Sequence, residues 1–240
     1  MMPALRRARA FPSTDWRLVF ASRPHGATRT RESIAELCAV YWYPVYAFLR
    51  RRGHAAEDAA DLTQGFFAHI LANGLLARAQ PEKGRLRSLL LASVTNFVTN
   101  ERERTSARKR CATGPPLSDA ESRYIREPAD TVTPERLYER QWAAALLTRV
   151  LDRLRAELAQ AGKDGMFDLL KDHLIGDHDE ASDRRAADAL GLSAGAARVA
   201  AHRLRRRYRE LLRAEIARSV DGSDRDVDDE IRYLFSVTQP

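Results

Sequence analysis

The sequence predicts an all-α protein of two helical domains joined by a flexible linker, the second containing a helix-turn-helix. Three observations carry this. Apolar residues recur at three- and four-residue steps, the spacing that lines one face of a helix, and they do not alternate as a half-buried strand requires. A stretch poor in apolar residues but holding four prolines, 111–134, interrupts the helical pattern. Finally, Gly191 breaks the Ala-, Leu- and Arg-rich run Arg184–Leu212 in two.

Residues 1–15 read as a loose basic arm, and residues 16–110 as the first domain. In Ile34–Gly53, the residues Leu37, Val40, Tyr41, Val45, Phe48 and Leu49 fall near helical spacing. Pro44 is expected to bend or locally break that helix, and Gly53 to stop it. A second helix over Ala55–Gly74 is acidic at its start, with Leu62, Phe66, Ile70 and Leu71 on one side. After the turn "PEKGRL" comes a third helix, whose apolar half gives way to a basic tail ending at Arg110. Residues 111–134 read as linker by composition.

The second domain spans 135–218. A long helix over roughly Pro134–Ala161 carries Leu147, Val150, Leu151, Leu154 and Leu158 as a stripe, and Gly162–Gly165 breaks it. A shorter helix over Met166–Leu174 and a polar loop, "IGDHDEASD", lead to the Gly191 stretch. A helix-turn-helix needs a small residue where its helices cross and a residue tolerating positive φ in the turn. Ala187 and Gly191 supply these, and Ser193 can N-cap the next helix. Ala197, Ala201, Leu204, Tyr208 and Leu211 or Leu212 then form a buried face. Alanine at 197 and 201, where larger residues are common, forgoes roughly 1.5 kcal/mol of burial each. Helix propensity returns up to about 0.7 kcal/mol per residue, so this unit is expected to be lightly packed. Arg198, His202, Arg203, Arg205 and Arg206 fall mainly on other faces, available to phosphates and base edges. The competing reading is a helical hairpin with a solvated Arg face.

Residues 219–240 form an acidic C-terminal extension, with six acidic residues between Asp221 and Glu230, followed by "IRYLF". It reads either as a segment that docks on the Arg-rich helix of the second domain as a DNA mimic, or as an unstructured solubilising tail.

The 240 residues carry a net charge of +7 and a pI of about 9.8, a balance that suits a polyanionic partner, nucleic acid before membrane. All basic residues but Lys83, Lys109, Lys163 and Lys171 are Arg, a bias that a GC-rich genome also produces. Two cysteines, Cys38 and Cys111, lie far apart and outside metal-ligand spacing, which argues against a disulfide scaffold and for a reducing cytosol. No apolar run approaches the ~18 residues that span a bilayer, and "MMPALRRARA" lacks a signal peptide's apolar stretch. The expectation is a cytoplasmic protein with no membrane partner.

Two further stretches carry a resemblance. "AEDAADLTQGFF" (Ala56–Phe67) resembles the second conserved region of bacterial sigma factors, where an acidic run followed by D-L-T-Q-E-x-F grips the clamp helices of RNA polymerase. "GRLRSLLLASVTNFVTNERERTSARKR" (Gly84–Arg110) resembles the adjoining segment that opens and captures the minus-ten promoter element. The helix-turn-helix is similar to the fourth region, which reads the minus-thirty-five element. With a linker alone between them, the order resembles the extracytoplasmic-function (ECF) group of sigma factors, over roughly residues 30–110 and 180–214.

The resemblance implies core RNA polymerase and promoter DNA as partners, admits an anti-sigma factor, and implies no cofactor. Polymerase binding would fall to Glu57, Asp58, Asp61, Gln64 and Phe67. DNA binding would fall to Arg85, Arg87, Asn96, Asn100, Arg102 and Arg104 in the first domain, and to Ser193, Arg198, His202, Arg203 and Arg206 in the second. The residues are suited to this: amides and guanidinium groups on a basic helix bind single-stranded DNA through phosphates and bases. Acidic residues at a helix start are also ordinary, since they favour the helix dipole, and the Arg102–Arg110 run also reads as a solvated segment fraying into the linker. The chain departs from the family pattern at Gly65, where Glu is usual. The segment Pro134–Ile175 is long for the group and lacks the L-P-x-x-x-R lead-in.

No catalytic constellation is visible, so no enzymatic activity is expected. His173 with Asp172, Asp177, His178 and Asp179 is the one cluster suggestive of a metal, but it has neither a helical H-x-x-x-H pair nor cysteines, and no metal is expected. Two other functions fit part of the pattern: a helix-turn-helix DNA-binding regulator that does not bind polymerase, and a helical protein-interaction module.

Overall fold

The computed structural model describes residues 27–73, 85–104, 117–127, 132–174, 180–217, 220 and 224–239. They are helical throughout, with no strand among them: α1 (Ala27–Arg51), α2 (Ala56–Ala72), α3 (Leu86–Arg104), α4 (Leu117–Ile125), α5 (Pro134–Gln160), α6 (Asp164–Leu170) with a 3-10 turn at Lys171–Leu174, α7 (Glu180–Leu190), α8 (Ala194–Ala217) and α9 (Asp224–Thr238). None of the described helices is long and apolar enough to cross a membrane.

The chain divides into two compact units, and the division falls within α5, between Leu146 and Leu147, and again between Glu215 and Ile216. The larger unit is built on α1, whose Tyr41, Val45, Tyr46, Phe48 and Leu49 are buried. Pro44 lies inside α1 without ending it. Its missing N–H and its ring disturb at most the turn before it, and the apolar face on both sides of the proline holds the helix against the core. Gly53 ends this run at φ 90°. There, the His54 amide donates to the Leu49 carbonyl and the Gly53 amide to the Arg50 carbonyl, satisfying acceptors that the helix end would strand.

α2 packs along α1, and α3 packs against α2. The α2–α3 contact explains Gly65. A Cβ there would lie 3.3 Å from Cζ of Phe97, and the Phe97 ring sits 5.8 Å from that of Phe66 and 5.3 Å from that of His69. Glycine costs about 1 kcal/mol of helix propensity, and in return Phe97 packs close to the α2 backbone.

The expected linker holds a nine-residue helix, α4. It packs against α1 and α2, and little of its attachment is apolar. The Arg50 guanidinium grips Glu121 through Nε (2.9 Å) and Nη2 (2.6 Å), and the Tyr46 hydroxyl donates to the same carboxylate. Arg123 lies 3.7 Å over the Tyr43 ring and donates to Gln141, which in turn donates to Glu127.

α5 begins at Thr133, whose hydroxyl accepts from the Arg136 amide, with Pro134 at the first helical position where its missing N–H costs nothing. Its first half buries Leu137, Tyr138, Trp142, Ala143 and Leu146 in the larger unit. α9 completes that unit with buried Val227, Glu230, Leu234 and Val237, spaced three, four and three residues apart. The acidic extension is therefore a helix of the larger unit, and the reading of it as an unstructured tail is corrected. The reason is the apolar face of α9, which a solvating tail would not need, together with the charge of Glu230.

The smaller unit, Leu147–Glu215, buries Val150 and Leu154 of α5, Phe167 and Leu170 of α6, Ala186 and Ala187 of α7, and Ala197, Ala201, Leu204, Tyr208, Leu211 and Leu212 of α8. Arg149 pairs with buried Glu215 at 3.2 Å inside it.

Candidate nucleic-acid interface

The α7–α8 junction carries the turn at Gly191 that the sequence predicts. Gly191 adopts φ 64°, a region that costs other L-residues roughly 1–2 kcal/mol. The Leu192 amide donates to the Ala187 carbonyl (2.9 Å) and the Gly191 amide to the Asp188 carbonyl (3.2 Å), the paired bonds that close a helix through a left-handed residue. Ser193 Oγ accepts from the Ala196 amide at 3.2 Å, so Ser193 caps α8. Its role is local: it fixes where the helix starts.

Past the cap, Arg198, His202, Arg203 and Arg206 are all exposed, on the side of α8 away from the buried Ala197, Leu204 and Tyr208. Arg206 donates to Glu210 one turn on, an exposed pair of small energetic weight. Arg207 is more firmly held. Its Nε and Nη2 donate to Glu157 at 2.7 and 2.9 Å, and its Nη1 to Glu210 at 3.0 Å. The Arg207 bond draws the Glu157 carboxyl below the usual carboxylate range. The dense Arg run thus splits into an open part and a part tied back onto the smaller unit. Arg184, Arg185 and Arg209 are exposed as well and add to the positive surface. Nothing in residue type separated them from the other arginines, and their exposure is what brings them forward.

The first-domain set of DNA candidates is not brought together. Asn96 and Asn100 are exposed one turn apart on α3, on a face shared with Ser88, Ala92 and Thr99. Arg85 and Arg87 are engaged elsewhere. Arg87 is 6% exposed, and its Nε and Nη2 donate to the two oxygens of Glu230, at 2.8 and 3.2 Å. Its Nη1 reaches Glu139 at 3.3 Å, and its guanidinium lies 4.0 Å over the Tyr233 ring. Arg85 meets the same Glu230 at 2.5 Å. Burial lowers the Arg87 pKa, but the Glu230 hydrogen bond and charge outweigh it and leave the pKa raised, so the guanidinium stays charged. The expectation that Arg85 and Arg87 face DNA is corrected here: α9 supplies a buried carboxylate that occupies them. Of Arg102 and Arg104 the helical backbone is described, but their side chains lie outside the described residues.

On α2, Glu57, Asp58 and Asp61 are exposed and Gln64 is half-buried, a polar surface on the first half of the helix. Phe67 is buried, edge-on to Phe66 at 5.4 Å, and belongs to the core, not to a partner surface.

Among the described residues, no group of three or more His, Cys, Asp or Glu is placed to hold a metal. Asp177, His178 and Asp179, and the side chains of Asp172 and His173, lie outside the described residues. Burial pushes the Cys38 thiol up to about 11, so it is protonated and a poor nucleophile near neutral pH. The chain matches no family model, no curated protein and no solved structure among those it was compared with.

Proposed function

We propose that this protein is a sigma factor of the extracytoplasmic-function kind, directing core RNA polymerase to specific promoters from the cytoplasm, with no cofactor or catalytic role of its own. The observation that carries the reading is α8: a helix entered through a Gly191 turn and a Ser193 cap, with Arg198, His202, Arg203 and Arg206 along its solvent face. That is the chemistry and placement by which a helix-turn-helix reads a major groove. The polymerase-binding part rests on the sigma-like stretch Ala56–Phe67, with Glu57, Asp58 and Asp61 at the surface of α2. Asn96 and Asn100 on α3 are the candidates for holding melted DNA. Run-off transcription by core polymerase with and without the protein, on fragments of its own genome, tests the whole proposal. Promoter-specific transcripts that require the protein are the expected result.

A helix-turn-helix regulator that does not bind polymerase is the second reading. The observation favouring it is the capture of Arg85 and Arg87 by Glu230, which removes two cations from the sigma-like first unit. Co-purification with core polymerase separates the two.

A further inference from the structure

The exposed side of α8 is basic with one interruption. Gly195, Val199, His202, Arg203 and Arg206 follow one another along it, covering about 100° of the helix circumference at 100° per residue. They lie opposite the buried Ala197, Ala201, Leu204 and Tyr208. Val199 sits within this strip and is 50% exposed. α8 has one other β-branched residue, Ile216, and that one is fully buried. In a helix otherwise rich in alanine, a surface valine gives up helix propensity and gains no burial within the chain.

The turn before it is stripped down. Ala194, Gly195 and Ala196 carry nothing longer than a methyl, and a Cβ built on Gly195 meets nothing within 4 Å. The start of α8 can thus approach another surface closely, with Arg198 and Val199 the first long side chains to meet it. Arg198, His202 and Arg203 flank Val199, exposed and without an ion pair to another described residue, and α8 has no acidic residue before Glu210. The surface calls for a polyanion that shows an apolar group between its charges. Duplex DNA has this in the major groove, where phosphates line the walls and the 5-methyl of thymine is the apolar feature of the base edges.

We propose that Val199 is a base-reading residue whose side-chain methyls pack on the 5-methyl of a thymine, while a neighbouring arginine bonds an adjacent purine edge. This rests on the reading of α8 as the DNA-entering helix. The test is selection of duplexes from a random library by the full chain, alone and with core polymerase. A T·A pair at one fixed position of the selected site is expected. Replacing that thymine with deoxyuridine removes the methyl and leaves the hydrogen-bonding edge unchanged, and should weaken binding about fourfold. In Val199→Ala, an exposed change that favours the helix, the same replacement should have little effect. The proposal is overturned if the replacement costs both proteins equally, or neither. It is also overturned if Val199→Ala leaves DNA binding intact and lowers polymerase association, for then the residue faces protein. If no sequence is enriched under either condition, the DNA reading of α8 falls first and takes this inference with it.

Discussion

Exchanging Glu230 for glutamine removes a carboxylate that is 1% exposed and leaves the shape of the side chain nearly unchanged. The Arg87 guanidinium then stays buried with Glu139, at 3.3 Å, as its remaining carboxylate partner, and Arg85 loses its contact as well. Breaking a buried pair by removing one member costs about 3–5 kcal/mol, most of it the burial of the stranded charge. Because Glu139 still neutralises part of that charge, the lower end applies, about 3 kcal/mol. At a typical urea dependence of about 2 kcal/mol per molar, the unfolding midpoint falls by roughly 1.5 M. Tryptophan emission is the readout, since Trp142 lies in the larger unit with its ring 5.2 Å from the Arg87 guanidinium. A matched pair of changes, Arg87→Met with Glu230→Leu, should recover most of the loss, because apolar residues of similar volume replace buried ion pairs at little cost. A midpoint shift below about 0.5 M for Glu230→Gln, or a double variant as unstable as the single one, refutes the account of α9 as a charge-matched part of the core.

On α2, replacing Asp61 and Gln64 together with alanine should abolish pull-down of core polymerase at unchanged helicity, and unchanged pull-down would remove the sigma reading of that helix. In the smaller unit, Arg203→Ala should cost about 1–3 kcal/mol on a selected site and less on a scrambled one, so equal losses in binding titrations would reduce Arg203 to a phosphate contact. Gly191→Ala meets no steric obstacle, so its cost is that of the left-handed backbone, roughly 1–2 kcal/mol, measurable by thermal unfolding; a neutral result would show that the turn relaxes. The Arg50 hydrogen bond, reinforced by Tyr46, holds the Glu121 carboxyl below its ordinary value, so its stabilising effect is full above about pH 4.5 and is lost as the pH falls through the lower folded value. The protection of amides across Leu117–Ile125, taken as the exchange rate relative to the intrinsic rate at each pH, should accordingly fall in acid, with a weaker pH dependence in Glu121→Gln.

What the sequence disclosed follows from how each element is held. α2, α5 and α8 carry their partner surface as an apolar period, which local spacing reveals, and the Gly191 turn with its Ser193 cap is legible because both depend on single residue types. α4 was hidden among prolines because its attachment is polar: Glu121 finds Arg50, and Arg123 finds Tyr43 and Gln141. No period announces such a contact. The destination of α9 was equally out of reach, since a glutamate on an apolar helix face signals a buried partner without saying which arginine it is. For the same reason Arg85 and Arg87, in a sigma-like context, resembled nucleic-acid ligands, whereas Glu230 holds both, Arg87 within the core and Arg85 at its edge.

The Arg87–Glu230 pair joins residues 143 positions apart, and the chain is made from one end. At roughly 5–20 residues per second, ribosomes take about 7–30 s to cover that distance. During this interval α3 has already been synthesised and its guanidinium has no Glu230 to meet, so the first-made helices cannot close around Arg87 in their final form. The whole smaller unit, by contrast, is translated within the gap, and all of its own helices are complete before α9 emerges. The order of synthesis therefore favours a nascent chain whose smaller unit matures while the unit begun first waits for its last helix, and a chaperone would meet that open surface first.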